Sequence, residues 1–130
     1  MIVNERIRQV RVYRKLTSKE LATKAGVSTS EISLIERQMR RPKTETLQRI
    51  AAALEVSSSY LLSELNANLP MEAALAKESF QIFLRDTSLT PEETHWLRAV
   101  AEKPSAPNTV RGWQDLVANL SIYEPLPKES

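Results

Sequence analysis

The chain has no cysteine, 2 glycines and a single histidine, His95, in 130 residues. Without thiols there is no disulfide framework and no thiolate metal site, and a cytoplasmic setting is the expectation. Neither glycine belongs to a phosphate-cradling loop, and few segments alternate in the manner of strands, so helix is the default structure. One histidine and no cysteine supply no nucleophile–base pair, and acidic pairs such as Glu92-Glu93 are accounted for by a helix start. No enzymatic activity, cofactor or metal is therefore expected. No apolar run reaches the ~18–20 residues needed to cross a bilayer, and the N-terminus carries no signal-peptide core, so no membrane association is expected. What is present is 42% hydrophobic and 26% charged residues, the balance of a folded, globular chain.

The net charge of +2 conceals a marked asymmetry. Residues 1–43 carry eleven Lys and Arg (Arg6, Arg8, Arg11, Arg14, Lys15, Lys19, Lys24, Arg37, Arg40, Arg41, Lys43) against four acids, a net of +7. The remainder has a net of −5. A basic front half is the footprint of a polyanion binder, although charge alone fits a solvated basic face equally well.

Periodicity and capping signals divide the chain into short helices. Ile7 and Val10 have helical spacing within residues 3–15. Thr17 followed by Glu20 is a capping box, and the helix it opens carries Leu21, Ala22 and Ala25 inward and stops at Gly26. Ser28 caps a helix near residues 29–37 with Ile32 and Ile35 on one face. After Pro42, Lys43 or Thr44 opens a fourth helix with Leu47, Ile50, Ala51 and Leu54 inward, and Ser57 to Ser59 cap a fifth. Beyond a connector at residues 66–70, further helices are predicted over 71–85, from Thr90-Pro91-Glu92-Glu93 through Val100, and around Trp113. The expected fold is all-α: a five-helix domain over residues 1–66, then a smaller helical domain over 67–130.

Residues 17–37 form a helix, a tight turn and a second capped helix. In a helix-turn-helix the second helix enters the major groove while the first crosses the backbone. The run Leu16-Thr17-Ser18-Lys19-Glu20-Leu21-Ala22, then Ala25-Gly26-Val27-Ser28 and Ile32-Ser33-Leu34-Ile35-Glu36-Arg37, resembles the Cro/C1-type (xenobiotic response element) helix-turn-helix family. Pro42, Thr46-Leu47, Ile50-Ala51, Ala53-Leu54 and Val56 extend the likeness, which covers about residues 3–65.

The resemblance implies a transcriptional regulator that binds double-stranded DNA. It places Thr29, Ser30, Ser33 and Leu34 on the base-reading face. Leu34 has two readings, contact with a thymine methyl or membership of a broad core face. Glu31 could accept from a cytosine amino group, but an acid at a helix start is the simpler account. Ser18 and the helix N-terminus it opens, with Arg40, Arg41, Lys43 and Thr44, are the expected phosphate contacts, and Lys15 and Lys19 are further possibilities. Arg11 and Glu36 are implied to form a structural ion pair beneath the motif. Gln38 departs from the glycine usual after Glu-Arg, and a local change in that turn is the expectation.

Single helix-turn-helix domains bind weakly, so a homodimer on a palindromic operator is expected, with Trp96, Trp113, Leu116 and Leu120 forming the dimer contact; the alternative for residues 71–130 is a small autonomous helical domain without a partner. A second, weaker resemblance joins Leu89-Thr90-Pro91, Trp96-Leu97-Arg98, Trp113, Leu116 and Leu120 to the C-terminal region of the deinococcal DdrO repressor family of the DNA-damage response. It implies a partner metallopeptidase of the IrrE/ImmA kind that cuts near Val100 to Lys103, although the Leu-Arg of that family's cut site is missing. The alternative function is an antitoxin that autoregulates its operon, and an activator is a third reading.

Overall fold

The computed structural model describes residues 2–62 and 70–123, with side chains over 3–62 and 70–119. Among these residues there are eight α-helices and no strand. They are α1 (Ile2–Tyr13), α2 (Ser18–Ala25), α3 (Thr29–Glu36), α4 (Thr44–Leu54), α5 (Ser58–Leu62), α6 (Met71–Asp86), α7 (Pro91–Ala101) and α8 (Val110–Tyr123). The chain divides into two compact units, Met1–Met71 and Glu72–Ser130. No described helix is long and apolar enough to cross a membrane.

In the first unit every helix buries a stripe set by its sequence. Val3, Ile7 and Val10 of α1 are buried, as are Leu21, Ala22 and Ala25 of α2 and Ile32 and Ile35 of α3. Leu47, Ile50, Ala51 and Leu54 of α4 and Tyr60 and Leu61 of α5 complete this core. Helix α2 packs on α3 and α4, and α1 packs on α3, α4 and α5. The entry to α2 is the expected capping box: Glu20 N–H donates to the Thr17 hydroxyl at 3.0 Å, and Thr17 N–H donates to the Glu20 carboxylate at 2.8 Å. Ser28 Oγ likewise accepts from Glu31 N–H at 3.0 Å and starts α3.

The exits of α1 to α4 share one geometry. In each, a left-handed residue is followed by an N–H that reaches back to the last turn: Leu16 to Arg11, Val27 to Ala22, Met39 to Leu34 and Val56 to Ala51. Gly26 holds the left-handed position at one exit, but Lys15, Gln38 and Glu55 hold it at the other three, with φ of 61° to 63°. Gln38 therefore does not alter the turn, contrary to the expectation from sequence. The closing hydrogen bonds of Gln38 N–H to Ile35 and Met39 N–H to Leu34 hold the strained conformation in place.

The second unit is built around Phe80, Phe83, Leu97 and Trp113, with Leu89, Trp96, Val100, Leu116 and Val117 packed against them. The Trp113 ring lies 4.7 Å from Phe80 and 6.4 Å from Phe83, centroid to centroid. Its indole N–H donates to the buried Ser79 hydroxyl at 3.0 Å, and that hydroxyl donates to the Ala76 carbonyl at 3.2 Å. Thr90 and Glu93 form the second predicted capping box, with Pro91 opening α7. Trp113 has no exposed surface within a single chain. Its apolar area is used up by its own unit. Trp96 and Leu116 keep partial exposure, and the Leu120 side chain lies outside the described residues.

Candidate nucleic-acid interface

The α2–turn–α3 unit carries the expected base-reading residues on one helix, α3. Thr29 and Ser30 lie in the first turn of α3 and are exposed. Ser33 is half-buried one turn on, with its carbonyl also accepting from Arg37 Nε at 3.4 Å. Leu34 is half-buried too, and both of its sequence readings stay consistent with that exposure. Its spacing from the fully buried Ile32 and Ile35 is what tilts it away from the core.

The basic residues fall into two groups, and Arg6 and Arg14 join Arg11 in the one that the sequence reading gave to Arg11 alone. Arg6, Arg11 and Arg14 all serve the fold. Arg6 is buried, donates from Nη1 to the Tyr60 carbonyl at 2.9 Å and stacks over the Tyr60 ring at 4.5 Å. Arg14 Nε donates to the Leu54 carbonyl, at the end of α4, at 3.0 Å, and burial lowers its pKa from the ordinary guanidinium value. Arg11 grips both carboxylate oxygens of Glu36, Nε to Oε2 at 2.6 Å and Nη2 to Oε1 at 2.9 Å. Its Nη1 also donates to the Leu16 carbonyl at 2.7 Å. The hydrogen bond to Glu36 raises the Arg11 pKa, outweighing the opposing effect of burial.

The second group faces solvent around α3. Arg41, Lys43 and Thr44 are exposed at the start of α4, where Lys43 occupies the N-cap position with no side-chain capping bond. Ser18 is half-buried at the first position of α2. Lys15 and Lys19 are exposed. Arg40 differs from its neighbours: its Nη1 lies 2.5 Å from Glu31 Oε1. Between these elements lies an open hollow of about 620 Å³, lined by Val27, Ser28, Glu31, Arg40, Arg41, Lys43 and Thr46.

Two residues that sequence reasoning passed over hold this surface in shape. Asn4 is buried, and its Nδ2 donates to the Ile35 carbonyl at 2.6 Å and to the Arg40 carbonyl at 3.1 Å. It thereby ties the end of α3 to the loop before α4. A polar residue among the apolar positions of α1 was the available signal. Arg49 on α4 reaches the Gly26 carbonyl in the turn at 3.4 Å and pairs with Glu45 at 3.0 Å. Among the described residues no group of three or more His, Cys, Asp or Glu is placed to hold a metal.

The first unit thus presents a helix-turn-helix with a hydroxyl-rich helix start and cations on the adjoining loop. Residues 7–61 match the family model described as Helix-turn-helix. The chain is similar to the immunity repressor protein of Bacillus phage phi105, 41% identical over 64 residues, 49% of this chain and 44% of the relative. It is also similar to the HTH-type transcriptional regulator SinR of Bacillus subtilis, 39% identical over 64 residues, 48% of this chain and 58% of the relative. The chain therefore spans about half the length of these relatives. A solved structure of a SinR protein/SinI protein complex aligns with 89% of this chain and 99% of its own, at 26% identity and a TM-score of 0.49.

Proposed function

We propose that this protein is a sequence-specific, DNA-binding transcriptional repressor that binds a palindromic operator as a homodimer. The observation that carries the reading is the exposed start of α3, with Thr29 and Ser30 free of the core and Arg41 and Lys43 on the adjoining loop. A major groove ~12 Å wide accepts one helix, and short hydroxyls at its start meet base edges directly or through water. Ser33 and Leu34 continue the reading face, while Ser18, Arg41, Lys43 and Thr44 contact phosphates. The similarity of this segment to regulators named as repressors supports blocking of transcription, which requires only occupancy of the operator.

Pairing of two copies supplies the affinity that one domain lacks, with half-sites ~10 bp or a multiple apart. The partly exposed Trp96 and Leu116 are the contacts we assign to the second unit for this purpose. Cleavage by a metallopeptidase near Val100 to Lys103 falls at the end of α7, where Lys103 N–H bonds to the Val100 carbonyl at 2.9 Å. Such a cut requires that last turn to unwind, and incubation of the intact chain with the peptidase tests it.

The experiment for the main reading is selection from a random duplex library at near-physiological salt. Enrichment of an inverted repeat is the expected outcome. Enrichment of no motif, or of a single half-site only, overturns the sequence-specific dimer.

A further inference from the structure

Arg40 is the exception among the loop cations, and the reason lies on the recognition helix. Glu31 occupies the first turn of α3, its amide taken by Ser28 Oγ, and its carboxylate meets Arg40 Nη1 at the rim of the hollow. The partners are unequally exposed: the Arg40 side chain is 52% accessible and that of Glu31 21%. The Arg40 carbonyl is held from beneath by Asn4, so the backbone that carries the guanidinium is fixed near α3.

We propose that the Glu31–Arg40 pair restrains sequence-independent binding to DNA by keeping Arg40 off the phosphate backbone. The inference rests on the DNA-binding reading above and concerns how that site limits its own electrostatics. A free arginine at this rim would add one phosphate contact irrespective of sequence. Moving Arg40 to a phosphate would instead leave the Glu31 carboxylate without its counter-charge on a helix that faces a polyanion. The less exposed acid thus retains the more exposed base. Among the described residues Arg41 and Lys43 enter no such ion pair, and they remain available for phosphates.

The test uses the full chain and a random-sequence duplex, with affinity measured between about 50 and 200 mM salt for wild type, Glu31→Gln, Arg40→Gln and the double variant. Glu31→Gln keeps the backbone amide that Ser28 caps, so the start of α3 is preserved. For Glu31→Gln the slope of log affinity against log salt should steepen by about 0.9, a further loss of roughly threefold across that range. Arg40→Gln alone should keep the wild-type slope, and the double variant should return to it. The proposal is overturned if Glu31→Gln keeps the wild-type slope, if the double variant stays steep, or if Arg40→Gln flattens it. Wild type that binds no duplex at all overturns the DNA-binding reading itself, a result distinct from an unchanged slope in a wild type that does bind.

Discussion

Replacing Glu36 with alanine should destabilise the first unit far more than a bridge near the surface ordinarily would. Arg11 makes two hydrogen bonds to the carboxylate and a third to the Leu16 carbonyl, and the two side chains are only 14% and 8% exposed. Loss of the carboxylate strands the guanidinium with the Leu16 bond. Breaking a buried pair costs ~3–5 kcal/mol, against ~0–1 kcal/mol for an exposed one. The residual exposure of Arg11 places Glu36→Ala at the lower end of the first range, about 3 kcal/mol. For a unit of ~60–100 residues that corresponds to a fall of roughly 12–24 °C in the unfolding midpoint. Arg11→Met/Glu36→Leu removes both charges together and should recover all but about 1 kcal/mol, the Leu16 carbonyl being left without its donor. The assay is urea unfolding of the intact chain followed by amide hydrogen exchange at Ile35 and Leu47. Tryptophan emission serves as the control, because Trp96 and Trp113 both lie in the second unit. A loss below about 1 kcal/mol for Glu36→Ala, or a double variant no more stable than the single one, refutes the reasoning.

Gln38→Gly should raise stability by about 1 kcal/mol, seen as a higher melting midpoint, since a side chain at φ 63° carries a left-handed penalty that glycine lacks. Asn4→Ala should cost about 2 kcal/mol, measured in urea, by leaving the buried Ile35 carbonyl without this donor. It should also weaken duplex binding by loosening the loop that carries Arg41 and Lys43; unchanged affinity in the folded variant would separate Asn4 from the interface. Ser79→Ala should destabilise the second unit by roughly 1–3 kcal/mol, read from tryptophan emission, because the buried Trp113 N–H loses its acceptor. Arg41→Ala should lower the salt slope of duplex binding by about 0.9, and an unchanged slope would remove Arg41 from the phosphate contacts.

Local signals in the sequence carry most of the fold. The Thr17–Glu20 and Thr90–Glu93 capping boxes need residues only three apart, and both form as their spacing predicts. Gly26 adopts the left-handed exit expected of it. The apolar stripes of α2, α3 and α4 bury the residues that their periodicity names. What stays hidden is long-range and polar. Arg6, Arg14 and Asn4 donate to backbone carbonyls 31 to 54 residues away, and a carbonyl has no side-chain identity for a sequence pattern to mark. Trp113 escapes a sequence reading for a related reason. A large aromatic at helical spacing marks a packed face, but the spacing does not name Phe80 and Phe83 as what it packs on. Gln38 shows the converse: a residue poorly suited to its conformation is held there by the turn that surrounds it.

Arg6, Arg11 and Arg14, the arginines of α1 and its exit that serve the fold, bear on how chains of this kind diverge. Each meets a main-chain carbonyl, at Tyr60, Leu16 and Leu54 respectively, which lysine's compact ammonium would match less well than a planar guanidinium fork. A related chain with a different ligand would still be under pressure to keep all three, because each ties α1 or its exit to another part of the backbone. Drift toward a new ligand should therefore register first at Arg41, Lys43 and the hydroxyls of α3, in a chain that keeps Arg6, Arg11 and Arg14.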